Sequence, residues 1–432
     1  MKYKRWLTAL IIPVIALSGC TRPGTSEGGT DITLTIWEDN KNIEIVTSIV
    51  DEFARYYAYS YPNAARLRFE IVPHSEKSSV EDLVLDGPAG IGPDVLAFVH
   101  DTLGVAVGGN HLAVNSLGAK IESDHHVGAS SAAALDGKVY GSPITSESQV
   151  LIYRKSKINA TQAQNIETII GGAGANAKLV WDLLEGYYSF ALLNDAILYG
   201  ADGETTTGVK SSYLNFATPK AMSNVAYMHE NYKGNANLVI PGLQSGTTDI
   251  EGLNMFLAGD VDAIIVAPYF WASAKEAFGS DVAMAPLPNV NGETLRPFSG
   301  YKLYGVSRYS KYPALAQELA DFLTSPWAQA MRLRDKTLLP TLTSLIDQLG
   351  NSSIEVAHWR NLDASKITVS SAILDEAEVF EASLANSITM PKIERFSAFW
   401  VAYANNMTAL WQEDDLTVPE IENYLNNITT NM

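Results

Sequence analysis

Residues 32–71 read ITLTIWEDNKNIEIVTSIVDEFARYYAYSYPNAARLRFEI. Ile32, Leu34 and Ile36 alternate, the two-residue period of a strand. Ile43, Val46, Val50, Phe53 and Tyr57 then step by three and four, one face of a helix, and Leu67, Phe69 and Ile71 alternate again. Strand, helix and strand in so short a stretch make a βαβ unit, and a crossover of that kind joins parallel strands. The same pattern continues outward. Gly90-Ile91-Gly92-Pro93 marks a turn ahead of an apolar strand at Val95–Val99, and residues 142–154 carry an extended stretch around Pro143. A long helical and loop region follows, through Met255-Phe256-Leu257, with strands expected at 263–267 and 282–286, so the chain leaves one α/β lobe and builds a second. Pro297-Phe298-Ser299-Gly300-Tyr301 precedes a third change, into a strand over 303–306 and a helix bearing Leu315, Leu319, Phe322 and Leu323. No internal repeat is visible.

The chain has 432 residues, 47% of them hydrophobic, and a net charge of −18. That length exceeds one compact core and suits two or three domains. An acidic surface without a basic block argues against nucleic acid or anionic lipid as a partner. Cys20 is the only cysteine, so neither disulfides nor thiolate metal sites hold the fold. It closes Leu17-Ser18-Gly19-Cys20, after Lys2, Lys4, Arg5 and an apolar run over 6–15 that is too short to span a bilayer. This arrangement resembles a bacterial lipoprotein signal, which implies removal of residues 1–19 and acylation of Cys20. Two or three acyl chains anchor durably where one would not, so the protein is expected on the extracytoplasmic face of the cell membrane. No other run of 18 apolar residues exists. Residues 20–31, rich in Gly, Ser, Thr and Pro, read as a flexible linker.

Separated stretches from Ile32 to the C-terminus resemble the bacterial maltose/maltodextrin-binding proteins, the sugar receptors of ABC importers. They are Leu34-Thr35-Ile36-Trp37; Gly92-Pro93-Asp94-Val95 followed by His100-Asp101; Tyr140-Gly141-Ser142-Pro143-Ile144 with Glu147 and Ile152-Tyr153; and Met390-Pro391 with Ser397-Ala398-Phe399-Trp400. A weaker match is Leu257-Ala258-Gly259-Asp260-Val261-Asp262-Ala263-Ile264 with Pro268. The resemblance implies a two-lobed α/β periplasmic-binding-protein fold with three crossings, a hinge and an interlobe ligand cleft. On that pattern the first lobe is 32–145 with 304–345, and the second 150–298 with 346–432. It implies a monomer that needs no cofactor, binds an oligosaccharide and delivers it to permease subunits of an ABC importer.

Pyranose faces stack on aromatic rings while hydroxyl edges need carboxylates, amides and cations. Carried over by motif, the family's lysine near the first strand falls on Lys41, and the aspartate beside it on Asp39 or Asn40. Its Trp-Ala-His-Asp-Arg stretch becomes Phe98-Val99-His100-Asp101-Thr102, which keeps the hydroxyl-binding aspartate at Asp101, shrinks the stacking ring to Phe98 and loses the arginine. The hinge-edge glutamate matches Glu147; Trp181-Asp182-Leu183-Leu184-Glu185-Gly186-Tyr187-Tyr188 supplies Glu185 and Tyr187; Tyr269 stands where the family stacks tryptophan; and Trp400 matches the last stacking tryptophan. Trp37 and Trp271 are assigned to packing. These departures argue against assuming maltose itself.

Two other chemistries compete with this reading. A glycoside hydrolase also needs paired carboxylates in a sugar cleft, and Glu147 and Glu185 would be that pair. His125-His126 after Asp124, with His111 and His100 nearby, suggests a metal receptor, but the spacing fits no zinc motif and a solvated loop is expected there. No phosphate loop, nucleophile elbow or H-E-x-x-H occurs, and the glycines of 87–92 fit a turn rather than a dinucleotide fingerprint.

Overall fold

The computed structural model describes residues 31–171, 176–198, 214–243, 249–356 and 366–432. The expected signal sequence, Cys20 and all of the linker but Asp31 lie outside the described residues.

The βαβ unit is present. Strand β1 (Ile32–Glu38) runs parallel to β2 (Leu67–Pro73), with Ile32 opposite Leu67 and Glu38 opposite Pro73, and the helix Ile43–Ser60 crosses between them. That helix buries Ile45, Val46, Ile49, Val50, Phe53 and Tyr56, one apolar stripe at helical spacing. Strand β3 (Val95–Val99) lies parallel on the other edge of β1. A short hairpin, β4 (Ala134–Leu135) and β5 (Lys138–Val139), precedes β6 (Gly141–Ser148).

One residue later the chain enters a second sheet with β7 (Val150–Arg154). Strands β8 (Leu179–Val180), β9 (Leu238–Val239), β10 (Ala263–Val266) and β11 (Val282–Ala285) complete it in the order β11-β7-β10-β8-β9. β12 (Phe298–Val306) returns to the first sheet, antiparallel to both β3 and β6. After the hairpin β13 (Ser353–Val356) and β14 (Ile367–Ser370), the short β15 (Ile388–Thr389) pairs with the start of β12. The strand expected at 303–306 thus begins at Phe298, and β8 and β9 had no sequence signal because two residues are too few to show a period.

Side-chain alternation distributes these strands among three cores. Val95 and Ala97 of β3, Val150 and Ile152 of β7, Ile264 and Val266 of β10, and Tyr304 and Val306 of β12 share one apolar cluster running along both sheets. Leu151, Tyr153 and Ile265 face a second cluster. Leu96, Phe98 and Leu303 face a third. The helix Ser371–Ala385, with Leu374, Ala377 and Phe380 in the shared cluster, touches β6 of the first sheet and β11 of the second, and the β13–β14 hairpin rests on the helix Pro326–Lys336. The part of the chain from Ser353 to Ala385 therefore packs against both sheets. Among the described residues no helix is long and apolar enough to cross a membrane.

Phe53 is the ring on which the first unit closes: fully buried, it lies 6.0 Å from Phe69 and 5.2 Å from Phe322. Phe53→Ala is expected to cost about 3–5 kcal/mol, read as a lowered urea midpoint with an unchanged slope. A midpoint equal to wild type would show that this packing is not what joins helix to sheet.

Candidate functional site

The chain passes between the two sheets from β6 to β7 and from β11 to β12, and after β15 it runs into the helix Phe399–Gln412 on the second core; polar side chains staple these passages. Ser148 Oγ donates to the carbonyl of Phe298 at 3.0 Å, Ser383 Oγ donates to the carbonyl of Gln149, and Gln149 Nε2 donates to the carbonyl of Tyr187. His100, just after β3, accepts from the Tyr301 N–H at Nδ1 (3.2 Å), so its Nε2–H donates to the carbonyl of Met390 (2.9 Å). Burial pushes its pKa down to about 3, which keeps the ring neutral and this tautomer in place.

Beside these staples the acidic and aromatic groups converge. Asp101 sits in the 3-10 turn His100–Thr102, itself tied by Thr102 Oγ1 to the carbonyl of Val99 at 2.7 Å. The residue is half-buried and its Oδ1 is sealed and unpartnered; burial pushes the carboxyl up to about 6 against hydrogen bonds from backbone N–H groups and from Trp400. From the second lobe, Glu185 caps the short helix Gly186–Ser189 by accepting from the Tyr188 N–H at 3.1 Å, and Asp182 Oδ1 accepts from the Glu185 N–H. A Cβ at Gly186 would lie 2.8 Å from Phe399, so only glycine lets this helix approach the helix that carries Trp400. Ser189 Oγ bonds the Tyr403 hydroxyl at 2.8 Å between the same two helices. The Tyr187 hydroxyl is buried and unpartnered, and its pKa is held well above the usual value by burial first, then by Glu147, Glu185, Tyr269 and Asp101. Tyr188 hydrogen-bonds Tyr269, whose ring remains substantially exposed. Trp400 is half-buried, edge-on to Phe396 and Phe399.

On the first-lobe side a line of alternating charges leads away from this group. Glu147 Oε2 lies 3.5 Å from Lys302 Nζ, Lys302 Nζ 2.7 Å from Glu76 Oε1, and Glu76 Oε1 3.0 Å from Lys41 Nζ, which lies 3.5 Å from Asp39. Burial raises the Glu76 carboxyl, but Lys302 and Lys41 outweigh it and hold the group down at about 2. Burial opposes the Lys302 charge, and Glu147 and Glu76 more than restore it, leaving its pKa above the usual value. Below it Glu38, raised by burial, accepts from the Tyr304 hydroxyl and from Asn42 Nδ2 (3.1 Å), and Arg332 Nη2 donates to that hydroxyl at 3.2 Å.

Of the residues singled out from sequence, the structure brings Asp101, Glu147, Glu185, Tyr187, Tyr269 and Trp400 into one group and connects Lys41 to it through the charge line. Phe98 is a correction. It is fully buried between Leu96, Leu103 and Leu112, because β3 is covered on both faces, and it offers no ring to a ligand. The histidine pair is another: His125 is buried and bonded to Thr341 Oγ1 at 2.8 Å, while His126 lies against the Tyr301 ring, and burial takes both down to about 4. Trp37 stacks on His74 at 4.0 Å, and Trp271 is buried under Lys275. Sequence reasoning gave no site role to Glu76, Lys302 or Gln149, the last two falling only within the hinge spans expected at 299–302 and 147–149. A lone lysine inside the apolar strand YKLYGV was the available signal for Lys302; nothing local marked the other two.

Residues 57–362 match the family model described as bacterial extracellular solute-binding protein. The galactooligosaccharide-binding protein of Bacillus subtilis (strain 168) is 28% identical over 329 residues, 72% of this chain and 73% of its own length. The maltodextrin-binding protein MdxE of the same organism is 27% identical over 326 residues, with the same coverage of 72% and 73%. Among solved structures, the maltodextrin-binding protein MalE1 of L. casei BL23 without ligand aligns with a TM-score of 0.73 at 19% identity, over 93% of this chain and 99% of that one. A cyclo/maltodextrin-binding protein complexed with maltotetraose aligns with a TM-score of 0.71 at 23% identity, over 94% and 98%. At these identities the structures establish the two-lobed fold.

The buried Asp101 carboxyl makes a prediction for stability. Its folded pKa, about 6, exceeds the ordinary 3.8, so between those values the folded chain holds a proton that the unfolded chain has released, and stability falls as pH rises through that window. Asp101→Asn removes this cost. It should raise the unfolding temperature at pH 7.5, by a stabilisation on the order of 2 kcal/mol, and the gain should vanish near pH 3.5. A gain of equal size at both pH values would contradict the assignment.

Proposed function

The chain belongs to the family of bacterial extracellular solute-binding proteins, and from that premise we propose that it captures an oligosaccharide of the maltodextrin or a related class between its lobes and delivers it to the permease subunits of an ABC importer. The observation that carries this reading is the pair of unmade hydrogen bonds at Asp101 Oδ1 and the Tyr187 hydroxyl, one acceptor and one donor, set among Trp400 and Tyr269. A buried polar atom without a partner costs about 1–3 kcal/mol, and a sugar hydroxyl, donor and acceptor at once, meets both needs. Trp400 and Tyr269 supply apolar faces for the pyranose rings. Lys41, Glu147 and Glu185 are the further polar groups offered to the ligand. With Phe98 withdrawn into the core and Thr102 in the place of the family's arginine, the first-lobe subsite differs from that for maltose. The relatives named above are binding proteins, and they lend no support to the hydrolase reading of Glu147 and Glu185. Two pneumococcal relatives named as maltooligosaccharide ABC transporter solute-binding lipoproteins, 24% identical over 77% of this chain, support a lipid anchor at Cys20 on the outer face of the cell membrane. The receptor acts as a monomer in this scheme.

A thermal-shift screen of maltodextrins and galactooligosaccharides identifies the ligand, since one that binds only the folded chain raises its unfolding temperature. Trp400→Ala should then weaken the best hit at least tenfold by calorimetric titration, about 2 kcal/mol for the apolar area that one sugar face no longer buries, with cooperative unfolding retained. Wild-type affinity in that variant would remove the cleft assignment. Cys20→Ala should release the protein from the membrane fraction with ligand affinity intact; retention equal to wild type would refute the anchor.

A further inference from the structure

We propose that Lys302 is a positioning residue for ligand capture: from inside the first lobe it holds Glu147 directly, and Lys41 through Glu76, in the poses from which they meet the ligand. The inference rests on the solute-binding reading above. Lys302 and Glu76 themselves are closed off, with side chains 8% and 6% exposed, whereas Glu147 is 17% and Lys41 44% exposed. The inner pair therefore carries the outer pair. Three separate segments meet at this one ammonium and its partner: the loop after β1 with Lys41, the segment after β2 with Glu76, and the end of β6 with Glu147, two residues before the first crossing.

The backbone is shaped around this residue. The pairing of β12 with β6 shifts register there, with Lys302 opposite Thr145 but Leu303 opposite Pro143, and a bulge of this kind re-aims a strand side chain. Stability alone does not explain a buried lysine at this point. A buried ionic network is often no more stable than apolar packing of the same volume, and its best-attested use is to specify one arrangement. The charged groups acting on Lys302 are Glu147, Glu76 and Asp39; those holding Glu76 down are Lys302 and Lys41. Without Lys302, Glu76 loses the stronger of its two cations and its carboxyl should rise into the range where it titrates.

The test uses the full chain as wild type, Lys302→Met, Lys302→Arg and Glu76→Gln, titrated by calorimetry with maltotetraose and with a galactotetraose from pH 4 to 7.5. Lys302→Met should bind the preferred sugar roughly tenfold more weakly, and its affinity should acquire a pH dependence beyond the one that Asp101 already gives wild type. Lys302→Arg should recover most of the affinity. Glu76→Gln, which leaves the Lys302–Glu147 pair, should weaken binding through Lys41 alone and serves if Lys302→Met fails to fold. A crystal structure of ligand-free Lys302→Met, or of Glu76→Gln in its place, should show the outer side chain that is no longer held, Glu147 or Lys41 respectively, displaced by about 1 Å or more. Unchanged affinity and pH profile with only a lower unfolding temperature, or outer side chains left in place in the crystal, would overturn the proposal. Wild type binding neither sugar would count against the sugar-receptor reading instead, and the crystal structure would still decide the positioning role.

Discussion

A single strand, β12, has to satisfy three cores at once, and the rest of the molecule is arranged around that constraint. Its first residue, Phe298, stacks on Phe190 at 3.9 Å within the second-sheet core, while Leu303 and Tyr304, a few residues on, fill the two cores of the first sheet. Along its length it pairs with β15, β3 and β6. A strand packed at both ends cannot bend freely in its middle. Between the two sheets the chain is reduced to short joints, Gln149 between β6 and β7 and the segments entering β12 and β15. The staples at Ser148, Ser383 and His100 lie at those joints, beside the apolar cluster that runs along both sheets.

The chemistry of the cleft follows from the same placement. Carboxylates from both lobes, Asp101 and Glu147 from the first and Glu185 from the second, are brought together around the buried Tyr187 hydroxyl, where water screens them poorly. The protein answers in two ways. Glu76 is held ionised by two lysines, whereas Asp101 is left with an unfilled oxygen and a raised pKa. The first arrangement favours a fixed architecture. The second gives up stability at neutral pH in a group that a ligand can satisfy, which is the trade-off expected at a functional site.

Much of this was legible in the residues, for identifiable reasons. The stripe read at Ile43, Val46, Val50, Phe53 and Tyr57 shares Val46, Val50 and Phe53 with the buried face of its helix, and that helix and the five apolar residues of β3 announce themselves because each element is long enough to show a period or a run. β8 and β9 were invisible, since they are strands only by virtue of their parallel neighbours in the second sheet. Phe98 was misplaced by motif: its neighbour Asp101 emerges from the end of β3 while Phe98, still inside the strand, must follow the alternation into the core. The His125-His126 pair looked polar, yet His125 is buried and His126 half-buried, because Thr341 and Tyr301, more than 170 residues away in sequence, close over them. The same distance hid the Glu76–Lys302 pair. Long-range electrostatic partners leave no local pattern, and a lysine in an apolar strand shows only that some partner exists.

The most direct test of the account is a crystal structure of the protein with its preferred oligosaccharide. The account requires one sugar hydroxyl donating to Asp101 Oδ1, another accepting from the Tyr187 hydroxyl, and a pyranose face against Trp400, with both lobes touching the same ligand. A sugar bound elsewhere, or bound there with Asp101 Oδ1 and the Tyr187 hydroxyl still unpartnered, would contradict it.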